Sequence, residues 1–303
     1  MIDKLSTYQN GNAIVEIHDD GTRVITTPDS SFNFDYPLNI DIRVSTECSF
    51  GLNPKTGKST CEFCHESSTT EGIECDYDAL KEKLVGLPKG IELAIGCNFL
   101  TWELFEFIIW CSEANGYVVN LTVNQGHLKR DYPLIKRLVN VGFVKGLGVS
   151  YRSSMPWKIP QGVLEYSNTV FHVIAGIDNF NDVLSLKDRG VKKILVLGEK
   201  DFGFNAGKVD LTTKCHKEWY WWVKKLFDEF DTVSFDNLAL EQLKVRRFLT
   251  NEQWEEFNQG EHSFYINAVD KTFSPSSRSS MKLPWDNFTV QEFFKLIDNT
   301  DKI

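Results

Sequence analysis

The chain has 303 residues, 42% hydrophobic and 25% charged, with 22 Phe, 9 Tyr and 8 Trp. This is ordinary globular composition, with material for one large α/β domain or a core domain with an appendage. A net charge of −9 and a pI of about 5.3 set the chain against phosphate backbones, which disfavours duplex nucleic acid as a partner; its longest basic run is 244–247.

No uncharged apolar run approaches the length of a membrane span, and residues 1–12 are polar. The expected location is therefore the cytoplasm, with no membrane partner. Thiols stay reduced there, so the 7 Cys read as ligands or buried small residues rather than disulfides.

The first elements form a hairpin. Residues Ala13–His18 and 22–27 are β-rich, and Asp19-Asp20-Gly21 makes a turn between them. A linker covers 28–37. From Leu38 strand-like and helix-like stretches alternate. Strands are expected at 38–45, 90–95, 117–124, 143–151, 168–175 and 191–198, and helices at 77–85, 100–114, 133–141, 161–166 and 180–189. Stretches 168–174 and 191–197 are almost continuously apolar, as strands buried on both faces would be.

Six β/α units of this kind predict a parallel sheet, open or curled into a partial barrel, with ligands at the C-terminal strand ends. After Gly207 the alternation stops. An aromatic helix at 214–230 carries Trp219, Tyr220, Trp221 and Trp222 and reads as packing. Strands at Thr232–Phe235 and 263–269 and a Ser-rich loop at 275–280 complete the chain. The expected division is a hairpin and linker (1–37), an α/β core (38–207) and an α+β extension (208–303).

Cys48 follows the first core strand. Cys61 and Cys64 form a Cys-x-x-Cys pair after a gap of twelve residues. Thiolates suit both zinc and iron–sulfur clusters, and spacing alone leaves the two open. A structural zinc site would recruit His65 or Cys75 as fourth ligand. A 4Fe–4S cluster on three cysteines would leave one iron open for chemistry, and the β/α series behind the loop favours it. Gly51 to Ser59 resembles a phosphate loop but has five residues between its glycines where four are needed, and no helix start follows. Cys97 could approach the cofactor by position. Cys111 and Cys215 read as buried residues. His65 and His172 could face a ligand, and Asp236, Glu241, Gln242 and Asp270 are polar candidates near a cap, with solvated surface as their simpler explanation.

The run Asp41-Ile-Arg-Val-Ser-Thr-Glu-Cys48, followed by Cys61-Glu-Phe-Cys64-His-Glu, resembles the cluster loop of the radical S-adenosylmethionine superfamily. Phe63 matches the family's aromatic before the last cysteine. The twelve-residue gap departs from the family's usual three. The resemblance implies a partial (β/α)6 barrel over residues 38–203, a 4Fe–4S cluster on Cys48, Cys61 and Cys64, and S-adenosylmethionine chelated to the open iron. Gly96, Cys97 and Asn98 stand where the family binds the methionine amino group, and only Gly96 matches cleanly. Asn124 falls where the family often turns a polar residue to the ligand, and Ser150 and Arg152 fall where it meets the ribose and carboxylate. His172, Gly176 and Leu197 fall on its adenine side. The whole chain resembles radical S-adenosylmethionine proteins of bacteria and phages.

The implied activity is reductive cleavage to a 5′-deoxyadenosyl radical that abstracts hydrogen from a small-molecule or nucleotide substrate. An electron donor such as a flavodoxin or ferredoxin is implied as partner. Two alternatives stand beside it: a zinc-stabilised binding protein without turnover, and methyl transfer from S-adenosylmethionine.

Overall fold

The computed structural model describes residues 3–257 and 262–300. Its centre is a ten-stranded sheet. The strands are β4 (Asn39–Arg43), β6 (Glu92–Cys97), β7 (Val118–Asn124), β8 (Gly146–Ser150), β9 (Thr169–Ile174), β10 (Lys193–Leu197), β11 (Thr232–Phe235), β12 (Ser263–Asn267), β13 (Thr272–Ser274) and β14 (Leu283–Pro284). Their order is β11-β10-β9-β8-β7-β6-β4-β12-β13-β14, parallel except where β13 joins β12 and β14 joins β13. The α/β expectation holds at that level. The parallel series runs further than the sequence pattern reaches: β11 adds beyond β10, and β12 returns to pair with β4.

Intervening helices are α1 (Tyr77–Leu84), α2 (Trp102–Ile109), α3 (Gln125–Val141), α4 (Gln161–Leu164) and α5 (Phe180–Leu184). Asp76, Thr101, Asn124 and Asn179 cap α1, α2, α3 and α5 with side-chain oxygens that accept backbone N–H bonds. Helix α3 begins eight residues before the expected start at Pro133, because Leu128, Ile135 and Leu138 bury one face across the proline. Gly142 ends it in the left-handed conformation, φ 84°. The expected aromatic helix is divided into α6 (Lys214–Trp222), a 3₁₀ turn and α7 (Leu226–Glu229). Trp219 is buried, whereas Trp221 and Trp222 are exposed.

The sheet has two unlike faces. Ile40 and Ile42, Leu93 and Ile95, Leu121 and Val123, and Phe171 and Val173 alternate onto an apolar, buried face. The opposite face carries Asp41, Arg43, Gly96, Thr122, Ser150 and His172, which line a cavity. Strands β9 and β10 therefore alternate in burial, a correction to the expectation that both faces of 168–174 and 191–197 are packed alike.

The N-terminal segment is a three-stranded antiparallel sheet of β1 (Lys4–Asn10), β2 (Ala13–His18) and β3 (Arg23–Thr26). The expected hairpin is its β2–β3 half. It covers the N-terminal strand ends: Arg23 pairs with Glu92, Lys193 Nζ donates to Asp20 O at 2.6 Å, and Ser6 Oγ donates to Gly90 O at 3.3 Å. The opposite end, where the strands finish, is left for the cavity. Among the described residues no helix is long and apolar enough to cross a membrane.

Candidate functional site

The segment between β4 and α1 carries the cysteine pair. Its entry and exit are tied together: Thr46 N donates to Ile73 O at 2.9 Å and Cys75 N to Val44 O at 2.8 Å. Cys48 lies in the extended segment β5 (Glu47–Leu52). The twelve-residue gap is taken up by a small hairpin, closed by Asn53 N to Lys58 O at 2.8 Å. The main-chain oxygen of Phe50 then accepts from both Thr60 N and Cys61 N at 3.1 Å, which returns Cys61 to the neighbourhood of Cys48. Gly51 is required there, since a Cβ would stand 2.3 Å from Ser68 O.

Two elements hold this loop from outside. At the start of α3, a Cβ on Gly126 would meet the Phe50 ring at 2.3 Å, and His127 stacks between Phe50 and Phe99 while bonding Ser49 Oγ at 2.5 Å. After β10, Phe204 N donates to Cys64 O at 3.0 Å, and Gly203, with φ +65°, lies so close that a Cβ would be 2.2 Å from His65 O.

Cys48, Cys61 and Cys64 line one cavity of about 360 Å³, together with Phe63, Gly96, Asn98, Asn124, Ser150, Arg152, His172 and Leu197. These residues come from the cysteine loop and from the C-terminal ends of β6 to β10. Burial pushes the Cys48 thiol up, and its neighbour Cys64 adds to this. Burial pushes Cys61 up to about 11, against the Arg152 charge and with Cys48 and Cys64 as further raising influences. The three sulfurs are thus within electrostatic reach of one another, and an uncompensated thiolate is costly at Cys48 and Cys61. Among the described residues no group of three His, Cys, Asp or Glu side chains converges closely enough to hold a single metal ion.

Arg152 follows β8 and is buried. Its guanidinium pairs with Asp178 at 3.3 Å, also donates to Tyr151 O, and lies 5.0 Å from the centre of the Phe63 ring. Burial raises Asp178, partly offset by Arg152 and by N–H donors from Ile174 and Ser153. Among the described residues the Arg152 Nε has no hydrogen-bond partner. His172 is pushed down to about 4 by burial, with the Arg152 charge adding to the effect, so it is neutral at pH 7. Gly148 makes room for it, since a Cβ would be 2.7 Å from both the His172 ring and Thr122 Oγ1.

One expected position lies elsewhere. Gly176 does not line the cavity. It turns with φ +91°, and a Cβ would lie 2.1 Å from His216 Nε2, which bonds the buried Glu199 carboxylate at 2.7 Å. It is a packing glycine. Cys97 ends β6, and its side chain is outside the described residues. Cys75 and Cys111 are buried, and Cys215 Sγ donates to Asp178 O at 3.5 Å. Asp236 caps α8 (Asn237–Gln242), and Gln242 bonds both backbone groups of Glu199. Asp270 accepts from Asn267 Nδ2 at 2.8 Å. None of these lines the cavity.

The sequence did not single out five further cavity residues: Asp41 and Arg43 on β4, Glu66, Lys200 and Tyr265. Arg43 Nε pairs with Glu66 Oε2 at 3.0 Å, and Tyr265 Oη donates to the same oxygen at 3.3 Å. Burial pushes Glu66 up, but His65, Arg43 and Lys200 outweigh it and hold the carboxyl at about 2. Lys200 Nζ stands 3.2 Å from His65 Nε2 and donates to Ser277 Oγ at 3.1 Å. The alternation of charged with apolar residues along β4 was the available signal, but it is also the pattern of a strand with one solvated face.

No protein-family model matches this chain, and no curated protein matches it in sequence.

Proposed function

We propose that the cavity is the active site of a radical S-adenosylmethionine enzyme. One observation carries the reading. Three cysteines, from the loop after β4, share a cavity with polar side chains from the C-terminal ends of β6 to β9. Ligand sites of parallel α/β sheets occupy that end.

The donor set suits the group. Cys48, Cys61 and Cys64 would hold a 4Fe–4S cluster, since soft thiolates are its usual ligands. Burial raises the Cys48 and Cys61 thiols, and bound iron would neutralise the thiolate charge that burial disfavours there. Bound there, such a cluster would supply one-electron reductive cleavage of S-adenosylmethionine to methionine and a 5′-deoxyadenosyl radical able to take hydrogen from a substrate, with the electron coming from a donor such as a flavodoxin or ferredoxin.

The chain's own residues bind and orient. Arg152, fixed by Asp178 and Phe63, offers a guanidinium edge to a carboxylate. Asn98 offers an amide oxygen to an ammonium. Ser150 and Asn124 face a ribose, although Asn124 Oδ1 also caps α3. Phe63, Ile174 and Leu197 give the cavity apolar wall and exclude water.

A partial barrel belongs to the same proposal. Lys200 follows β10 and Ser277 follows β13, seven positions apart in the sheet order, yet their side chains bond at 3.1 Å. In a flat sheet those strands would be roughly 34 Å apart. Curling of the sheet brings such loops together and leaves its polar face as the lumen.

The test is a cysteine scan under anaerobic reconstitution. Cys48→Ala, Cys61→Ala and Cys64→Ala should each lose iron loading and 5′-deoxyadenosine formation, while Cys75→Ala, Cys111→Ala and Cys215→Ala retain both. Full 5′-deoxyadenosine formation in any of the first three sinks the assignment.

A further inference from the structure

Charges enclosed in a cavity must be compensated, because an unpaired one carries a large desolvation cost. Arg43 is matched by Glu66, and Arg152 by Asp178. Two cavity-lining charges remain. Asp41 projects from the middle of β4, wetted by the cavity but deep below the outer surface. Among the described residues its carboxylate has one hydrogen-bond donor, Asn39 Nδ2 at 3.4 Å. Lys200 lines the same cavity, with His65 Nε2 and Ser277 Oγ as its hydrogen-bond neighbours. It is within electrostatic range of Asp41, Glu66, Asp236 and Arg278. Among the described residues neither Asp41 nor Lys200 has an ion-pair partner within 4.0 Å.

We propose that Asp41 and Lys200 form a substrate subsite for a small zwitterion, an amino acid whose ammonium meets Asp41 and whose carboxylate meets Lys200. This deepens the active-site reading above and rests on it for the statement that the bound molecule is a substrate. The cofactor's own amino and carboxylate groups are assigned to Asn98 and Arg152, so Asp41 and Lys200 are left over. The walls between them suit a compact polar ligand. Thr122 and the neutral His172 ring face this space across Gly148, which has no side chain to fill it. Tyr265, paired in register with Asp41 across β12 and β4, lines the cavity beside it. A cation alone would leave Lys200 uncompensated, and an anion alone would leave Asp41 so.

The probe is a panel of the standard L-amino acids, each set against its decarboxylated amine and its deaminated acid. Binding to the full chain is read by thermal shift and calorimetry, with and without reconstituted cluster. At least one amino acid should bind better than both its truncated analogues. Asp41→Asn and Lys200→Met should each weaken it by at least about tenfold, the effect expected of a desolvated charge contact. Asp41→Asn should also abolish the preference over the deaminated acid, and Lys200→Met the preference over the amine.

Both variants should raise the unliganded melting temperature, because each removes a charge that the empty protein leaves uncompensated. A merely structural role would lower stability and binding together. Saturating S-adenosylmethionine should leave the amino acid bound. Competition between the two would overturn the subsite and assign Asp41 and Lys200 to the cofactor, leaving the enzyme reading intact. Failure of every amino acid to bind, or unchanged binding in both variants, also overturns it. Loss of cluster loading with retained amino-acid binding counts against the radical reading alone.

Discussion

Gly176→Ala is a perturbation whose cost can be worked from the structure. The residue turns at φ +91°, and a Cβ would sit 2.1 Å from His216 Nε2. Forcing Ala into a left-handed backbone costs about 1–2 kcal/mol. The imidazole must also move, and it is the partner of Glu199, whose carboxylate is buried and otherwise bonded to Asn205 Nδ2 at 3.0 Å. Depriving a buried charged group of one such bond costs about 1–3 kcal/mol. The sum, about 2–5 kcal/mol, is a large part of a typical domain's stability.

A double-mutant cycle isolates the cause. His216→Ala alone loses the same bond and leaves a void. In Gly176→Ala/His216→Ala the clash is gone, and the backbone strain adds to the bond and packing already lost with His216, so the lost bond is counted once. The double variant should therefore be less destabilised than the sum of the singles by about 1–3 kcal/mol. Urea unfolding followed by tryptophan fluorescence provides the assay, since buried Trp219 bonds Asp178 O at 2.7 Å beside this network. Strict additivity refutes the packing account. So does a Gly176→Ala protein of unchanged stability that has lost affinity for S-adenosylmethionine.

Arg152→Met strands Asp178 in a buried position and should destabilise the chain by about 3–5 kcal/mol in urea titration; a change below about 1 kcal/mol contradicts the pairing. Gly203→Ala should loosen the loop over Cys64 and His65, seen as faster proteolysis within residues 198–207 and lower iron retention, with an unaltered digest as the opposing result. For pH, burial raises Asp41 from 3.8 to about 6, so the folded chain holds that proton more tightly than the unfolded chain does. The resulting stabilisation is fully present below about pH 4 and is lost as pH rises through about 6. Asp41→Asn should consequently gain on the wild type between pH 4 and 7, and a difference that does not change with pH removes the burial argument.

Much of the α/β core was legible because strand-like stretches at β6 to β8 and the nearly continuous apolar runs at β9 and β10 alternate with helix-like stretches. Strand β1 escaped notice because Lys4–Asn10 is almost wholly polar and is held by pairing with β2. The start of α3 was hidden by Pro133, which ordinarily ends or begins a helix. The place of β11 and β12 in the main sheet depends on long-range pairing to β10 and β4, which no local pattern records.

The cysteines stood out by their spacing. The device that absorbs the long gap, main-chain bonds to Phe50 O, did not, because any side chain can make it. Asp41 and Lys200 were indistinguishable from surface charges until the fold placed them around one cavity. Gly176 shows the converse: its position in a motif suggested a cofactor contact, whereas the structure gives it His216 as a neighbour.

The most direct measurement is iron, sulfide and zinc content of the anaerobically reconstituted chain, taken with its ultraviolet–visible spectrum and with 5′-deoxyadenosine release from S-adenosylmethionine under reductant. The account predicts a brown protein with about four iron and four sulfide per chain, a broad absorbance that dithionite bleaches, and 5′-deoxyadenosine as product. A colourless protein with one zinc and no cleavage of S-adenosylmethionine would contradict it.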